Sequence, residues 1–471
     1  MRASTLLSFC VAGLAGVTAT APVCILGAGP SGLASALRLA EKGITDVVIF
    51  DKKDGPGGKA ENWVSPEGYI HQVGAIFGDT TMYPLVIELT DKFNVSRPSN
   101  PMRKNYVYYA PTGTILDSTV FPTNATAIAG AIQRYVGVYA KYAPYLAPGF
   151  KKGVPPAIAV PMSEFLPAHG LDALVPLFHL YITTFGYGSL EDIPALYAMM
   201  YYKPGGFIQF LTKQSSLFTV NYNLLFTKIA ASLHCAKFNY NATIISTNRR
   251  ATGASITYNV NGKGRQTQVC ASIINTIPHR LDLLRPLSLD AKEVDVFKHV
   301  HSVQYFSSVW TLDQVEPRNW YAAQLKPTGN ASAPFTVGGS LDNGAPVIFG
   351  TQLSDDKYFN VYSYKRGHDP ISLENVTAMA QDALSKLNKN VSLPNAVAKP
   401  VQMTDLKFAK AWTYFAHVNS SAIANGWFQS LEKLQGHRST YHTGSMRCME
   451  TVECSIASAN DLVDTYFTTA H

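Results

Sequence analysis

The sequence predicts an α/β protein in which a non-contiguous Rossmann-like nucleotide domain is interleaved with an α+β second domain. Three observations carry this. An apolar run, Val23-Cys24-Ile25-Leu26, leads into Gly27-Ala28-Gly29-Pro30-Ser31-Gly32 and then into a helix-like pattern (Leu33, Ala36, Leu37, Leu39, Ala40). A second apolar run, Val47–Phe50, ends on an acid, Asp51. After a long stretch without nucleotide motifs, strand and helix patterns of the same kind return between about residues 217 and 278.

Each part of the first unit has a physical role. Gly27 permits the strand-to-helix turn, Gly29 lets the backbone approach a pyrophosphate, and Gly32 lets helix and strand pack closely. Pro30 and Ser31 open a helix whose free N–H groups and positive dipole end favour phosphate. Asp51 stands where a ribose hydroxyl is bound. The competing reading is a glycine-rich turn between core elements. The segment beginning at this acid, Asp51-Lys52-Lys53-Asp54-Gly55-Pro56-Gly57-Gly58-Lys59, resembles the acid to Gly-Gly-Arg/Lys extension of FAD-binding oxidoreductases. That resemblance implies FAD, with Lys59 helping to neutralise the pyrophosphate and Lys52 also among the cofactor-binding residues. It departs from the usual pattern in having Asp for Glu and no base directly before Gly57-Gly58, which also reads as a surface turn.

With 471 residues, 46% hydrophobic and 15% charged, the chain has ample core for two domains. Net charge is +7, but the bases are scattered, and Arg249-Arg250 is too short a run to indicate nucleic acid. Met1-Arg2 and the apolar Leu6–Val17 read as a signal peptide, cleaved after Ala21 or Ala19. No later apolar run reaches the roughly 18 residues of a membrane span. Asn94, Asn124, Asn241, Asn330, Asn375, Asn390 and Asn419 begin Asn-x-Ser/Thr sequons. Together these predict a secreted, surface-glycosylated protein. Cys24 reads as a small buried hydrophobe, and one or two disulfides are expected among Cys235, Cys270, Cys448 and Cys454. No metal-ligand spacing is present.

In Gly68–Gly78, Gly74 and Ala75 are small enough to let backbone approach a flat ring, and His71 is a candidate neighbour of it or a structural strand-end histidine. Residues from about 100 to 220 are rich in Tyr, Phe, Pro and Leu. Phe185-Gly186-Tyr187-Gly188 and Ile193–Tyr202 read as core or as the wall of an apolar, aromatic cavity. Leu217–Leu233 reads as an amphipathic helix. Strands with an Asn261-Gly262 turn then form a β-meander, and Val269–Pro278 reads as a buried strand.

These features, with Trp427-Phe428, Gln435-Gly436, Tyr441-His442-Thr443-Gly444, Cys448–Glu453 and a final helix, resemble the flavin-containing amine oxidase superfamily. Shorter motifs, around Phe185–Tyr197 and Trp427–Tyr441, are similar to its secreted fungal-type branch that includes β-cyclopiazonate dehydrogenase. The resemblance implies an FAD domain built from residues 22–100, 216–290 and 436–471, behind a signal at 1–21. A substrate domain is built from 101–215 and 291–435. It implies a cofactor role for Gly444 and for one of the acids Glu450 and Glu453, with Glu450 taken here. It gives no catalytic residue; the candidates are His71, Tyr187, Trp412, Tyr414 and His442, with Phe415 in the same aromatic cluster, and His442 or Cys448 as a covalent flavin anchor. Three activities compete. One is hydride transfer from a bulky apolar or aromatic, amine-containing or amine-free, metabolite to flavin, with O₂ or another acceptor. The second is double-bond isomerisation or desaturation of fatty-acid-like substrates, and the third is non-catalytic binding with FAD retained.

Overall fold

The computed structural model describes residues 21–99, 105–116, 125–212, 215–317, 319–324, 342–351, 357–367, 369–387, 389–390 and 398–468. The expected signal segment, Asn124 and Asn330 lie outside these. Five short strands form a parallel sheet in the order Thr440–His442, Ser272–Asn275, Val23–Leu26, Val47–Phe50 and Lys237–Asn239. They come from three separated stretches of chain. Every residue of Val23–Leu26 and Val47–Phe50 is buried, as parallel strands covered on both faces require. One face packs on helices Pro30–Glu41, Tyr222–Ser232 and Val452–Tyr466. The other packs on an antiparallel meander, Ala242–Arg250, Gly253–Val260 and Gly264–Cys270, with Phe50 edge-on to Tyr258 at 4.8 Å.

Four expectations are corrected. Val269–Pro278 is not one buried strand: Gly264–Cys270 closes the meander and leaves Val269 59% exposed, and Ser272–Asn275 then enters the parallel sheet. Leu217–Leu233 is not one helix. Leu217–Thr219 pairs with Phe77–Asp79, and Asn221 then starts the helix by accepting the Leu224 N–H, the usual N-cap role of asparagine. Cys24 is not an unbonded hydrophobe. Strand alternation turns it toward the meander, where it is disulfide-bonded to Cys270. A second disulfide joins Cys448 to Cys454, so the Cys448 sulfur is not available to hold flavin covalently.

The second unit is an eight-stranded mixed sheet. Its order is Lys389–Asn390, Thr114–Leu116, Asn105–Tyr109, Trp320–Gln324, Asn343–Gly350, Tyr358–Lys365, His301–Thr311 and Leu406–His417. Helix Leu373–Ser385 covers one face. The opposite face looks onto the nucleotide unit, where Asn360 Nδ2 donates to the Gln72 carbonyl (2.9 Å) and Lys410 Nζ meets Glu61 (2.6 Å). Among the described residues no helix is long and apolar enough to cross a membrane.

The meander is locked by a buried ion pair. Arg249 donates two hydrogen bonds to Glu293 (2.7 and 2.8 Å), one to the Leu287 carbonyl and one to Thr440 Oγ1. Glu293 also caps its own helix by accepting from Asp290 N. Removing one partner strands a buried charge. Glu293→Gln is therefore expected to destabilise the fold by about 3 kcal/mol in urea titrations.

Candidate functional site

The site is built on the turn after the first strand. Gly27 has φ +111°, and a Cβ there would lie 2.4 Å from Thr276 Oγ1. A Cβ on Gly32 would lie 1.9 Å from the Gly27 carbonyl oxygen, so glycine is required for the helix to sit against the turn. Helix Pro30–Glu41 begins with Pro30 and has no side-chain cap, so its first N–H groups remain available to an anion. Gly57 N donates to the Ala28 carbonyl (2.9 Å), and a Cβ on Gly58 would lie 2.9 Å from Gly29 Cα. The Gly57-Gly58 loop is thus seated on the turn rather than being a free surface turn. Asp51 is fixed by the N–H groups of Ala28 (2.7 Å) and Lys53 (2.8 Å), one on each carboxylate oxygen, which leaves acceptor capacity for a hydroxyl. Gly444 (φ +117°) closes the group, with its Cβ direction 3.7 Å from Ser31 Oγ, and Ser31 Oγ donates to the Ser455 carbonyl. A cradle of glycine backbone, uncapped helix start and anchored acid fits a dinucleotide pyrophosphate and ribose.

Around this cradle the expected residues divide. Lys52 is exposed. Lys53, which the sequence did not single out, turns inward to the Gly58 carbonyl (3.0 Å) and Glu61. Lys59 donates to the Thr413 carbonyl (3.0 Å), is ion-paired with Glu450, and lies 5.7 Å from the Tyr414 ring centroid. Glu450 also accepts from Ser445 Oγ (2.6 Å), and its carbonyl accepts from the Tyr187 hydroxyl (2.9 Å). Glu453 plays a different part, its carboxylate taking the N–H groups of Leu85 and Val86 at the start of helix Pro84–Lys92. Gly74 is small for a reason the sequence did not reveal, since a Cβ there would lie 1.7 Å from the Lys59 carbonyl. Ala75 N donates to that same oxygen.

The candidate aromatic residues also separate. Tyr187 and Tyr414 lie together at 5.4 Å, and Tyr305 lies 4.7 Å from Tyr414. Tyr201 lies 4.7 Å from Tyr187, and Tyr362 lies 5.9 Å from Tyr305. Period-two alternation puts Tyr305, Tyr362, Trp412 and Tyr414 on the sheet face toward the nucleotide unit. Gly186 (φ +82°) seats this wall, because a Cβ there would lie 2.6 Å from the Tyr305 ring. Tyr201, Tyr305 and Tyr414 are only half-buried, yet burial drives each hydroxyl well above the ordinary tyrosine pKa. Side chains deep in the protein but open on one side are the wall of a cavity. Trp412 Nε1 is bonded to Ser307 Oγ, with Lys410 4.7 Å from its ring. Phe415 is 1% exposed and stacks on His417 in the core. His71 lies in another aromatic group, with Trp63 (5.2 Å) and Tyr358 (5.8 Å).

His442 is fully buried between sheet and meander, against Phe297 (5.1 Å) and His279 (5.3 Å). Burial, then the Arg249 charge, lowers its pKa to about 3; burial, then His442, lowers that of His279. His417, also buried, falls to about 4. A histidine whose folded pKa is depressed from 6.5 costs no stability above that pH, and the cost grows as pH falls toward the folded value. Stability is expected to drop between about pH 6.5 and 4, by up to about 1.4 kcal/mol per pH unit for each such histidine. His442→Asn is expected to flatten that slope in urea titrations across this range.

The NAD(P)-binding Rossmann-like domain family matches residues 25–93. An FAD-dependent oxidoreductase of Emericella nidulans, dbaF, is 24% identical over 90% of this chain and 86% of its own. Another from Apiospora sacchari, dpasF, is 26% identical over 90% and 88%. Among solved structures, a fatty acid isomerase from P. acnes that produces CLA superposes with TM-score 0.78 at 22% identity, covering 96% of this chain and 100% of that one. Putrescine oxidase superposes with TM-score 0.63 at 16% identity, covering 95% and 99%. The chain thus carries an N-terminal region that matches the NAD(P)-binding Rossmann-like domain, shares its fold with a fatty acid isomerase and with putrescine oxidase, and is similar over most of its length to FAD-dependent oxidoreductases.

Proposed function

We propose that this protein is a secreted FAD-dependent oxidoreductase that removes a hydride from a bulky apolar or aromatic metabolite, with O₂ or another acceptor as the final oxidant. The observation that carries the reading is the joining of cradle and cavity: Lys59 and Glu450 link the pyrophosphate turn directly to the Tyr187–Tyr414 wall. When bound, FAD supplies the hydride-accepting ring. Gly29, Gly58 and Gly444 admit its phosphates, Asp51 holds its ribose, and the tyrosine wall orients the substrate and excludes water. Secretion is supported by two disulfides, which persist in oxidising compartments. The exposed positions of Asn94, Asn241, Asn375 and Asn419 also support it.

Purified protein is expected to be yellow and to bleach on anaerobic mixing with its substrate in stopped flow. Readmitted O₂ should then yield hydrogen peroxide. Gly58→Val places side-chain atoms where Gly29 already sits, and is expected to weaken flavin retention at least about tenfold. An isomerised product without net oxidation would assign the site to double-bond isomerisation, and a colourless wild-type protein would overturn the FAD reading. Endoglycosidase treatment of protein secreted by a eukaryotic host is expected to lower its mass; an unchanged mass and retention inside the cell would sink the secretion reading.

A further inference from the structure

Among the described residues, the tyrosines of the cavity wall include two whose hydroxyls make no hydrogen bond within the protein. Among the described residues of this wall, the Tyr187 hydroxyl donates to the Glu450 carbonyl and the Tyr362 hydroxyl accepts from Asn360 Nδ2. Tyr414 is engaged with Tyr187. Tyr201 and Tyr305 make ring contacts but no hydrogen bond through their hydroxyls. Both residues are half-buried, and neither hydroxyl is among the polar atoms sealed in the core. A donor that the protein leaves unbonded yet accessible is open to an acceptor atom of a ligand.

We infer that the Tyr201 and Tyr305 hydroxyls are the polar anchors of the substrate cavity, and that they select a neutral, flat, ring-bearing molecule with an acceptor oxygen such as a carbonyl. The inference rests on the proposed oxidoreductase site and names its substrate class. Three further observations support it. Burial raises both hydroxyls well above the ordinary tyrosine pKa, so each stays protonated and donates. The nearby cations Lys59 and Lys410 are already paired with Glu450 and Glu61, so an anionic ligand finds no free partner. Glu450 is itself occupied by Lys59 and Ser445, so a cationic ligand finds no free carboxylate there. The ring faces of Tyr187, Tyr305 and Tyr414, held in place by Gly186, supply the apolar surface against which a flat body lies.

The test uses the flavin-loaded protein and two probes of equal shape, fluorenone and fluorene, which differ by one carbonyl oxygen. Binding is measured by calorimetry, without turnover. Fluorenone is expected to bind about tenfold more tightly than fluorene, each of Tyr201→Phe and Tyr305→Phe to remove about threefold of fluorenone affinity, and the double variant to abolish the preference. Fluorene affinity should not change. A preference that survives in the double variant overturns the inference, as does failure of both probes to bind. Unchanged flavin absorbance and far-ultraviolet circular dichroism exclude misfolding of the variants. A colourless protein that still prefers fluorenone would fail the cofactor reading while leaving the anchors in place.

Discussion

The contact on which the rest depends is the close approach of helix Pro30–Glu41 to the turn before it. A Cβ on Gly32 would lie 1.9 Å from the Gly27 carbonyl oxygen, so no other residue lets the helix start there. That turn is also where distant chain meets. Thr276 packs on Gly27, Gly58 on Gly29, and Gly444 and Ser455 on Ser31. Each is tolerable only because the residue it meets is small or presents a single polar atom. A phosphate-binding motif is therefore also the junction at which three stretches of sequence close one parallel sheet, and substitutions in it act on assembly as well as on ligand.

The second unit is tied to that junction through charge and rings rather than through shared strands. Glu61 receives both Lys53 and Lys410, and Glu450 receives Lys59. Partly exposed ion pairs contribute little stability each, roughly 0–1 kcal/mol. Their value here is geometric. They fix the Thr413-Tyr414 edge of the large sheet over the Gly57-Gly58 loop, which brings the tyrosine wall beside the nucleotide cradle.

The features legible in the sequence were local. Gly27, Gly29, Gly32, Asp51 and Gly57-Gly58 could be read because turn, helix start and loop lie within one short segment, and their glycine requirements come from backbone geometry alone. The meander was legible from alternation and the Asn261-Gly262 turn. The Tyr305 and Tyr362 part of the wall was not, because its members stand on separate strands and become neighbours only through sheet register. The same limit explains the Cys24–Cys270 disulfide, which spans 246 residues. It also explains Gly74, whose smallness answers the Lys59 carbonyl. Lys53 rather than Lys52 turns inward because Asp51 holds the Lys53 N–H, a local detail that composition and spacing do not encode.

The two acids near the C-terminus show how tertiary context assigns roles to similar residues. Glu450 precedes the helix cap Thr451 and faces the cradle, where Lys59 and Ser445 hold it. Glu453 lies in the first helical turn and reaches across to the start of helix Pro84–Lys92, whose N-terminal N–H groups it satisfies. Burial raises the Glu453 pKa although Leu85 and Val86 donate to it, so desolvation outweighs those bonds and the cap weakens if a proton is taken up. One acid thus connects the cofactor turn to the cavity, and the other docks the last helix against the first domain.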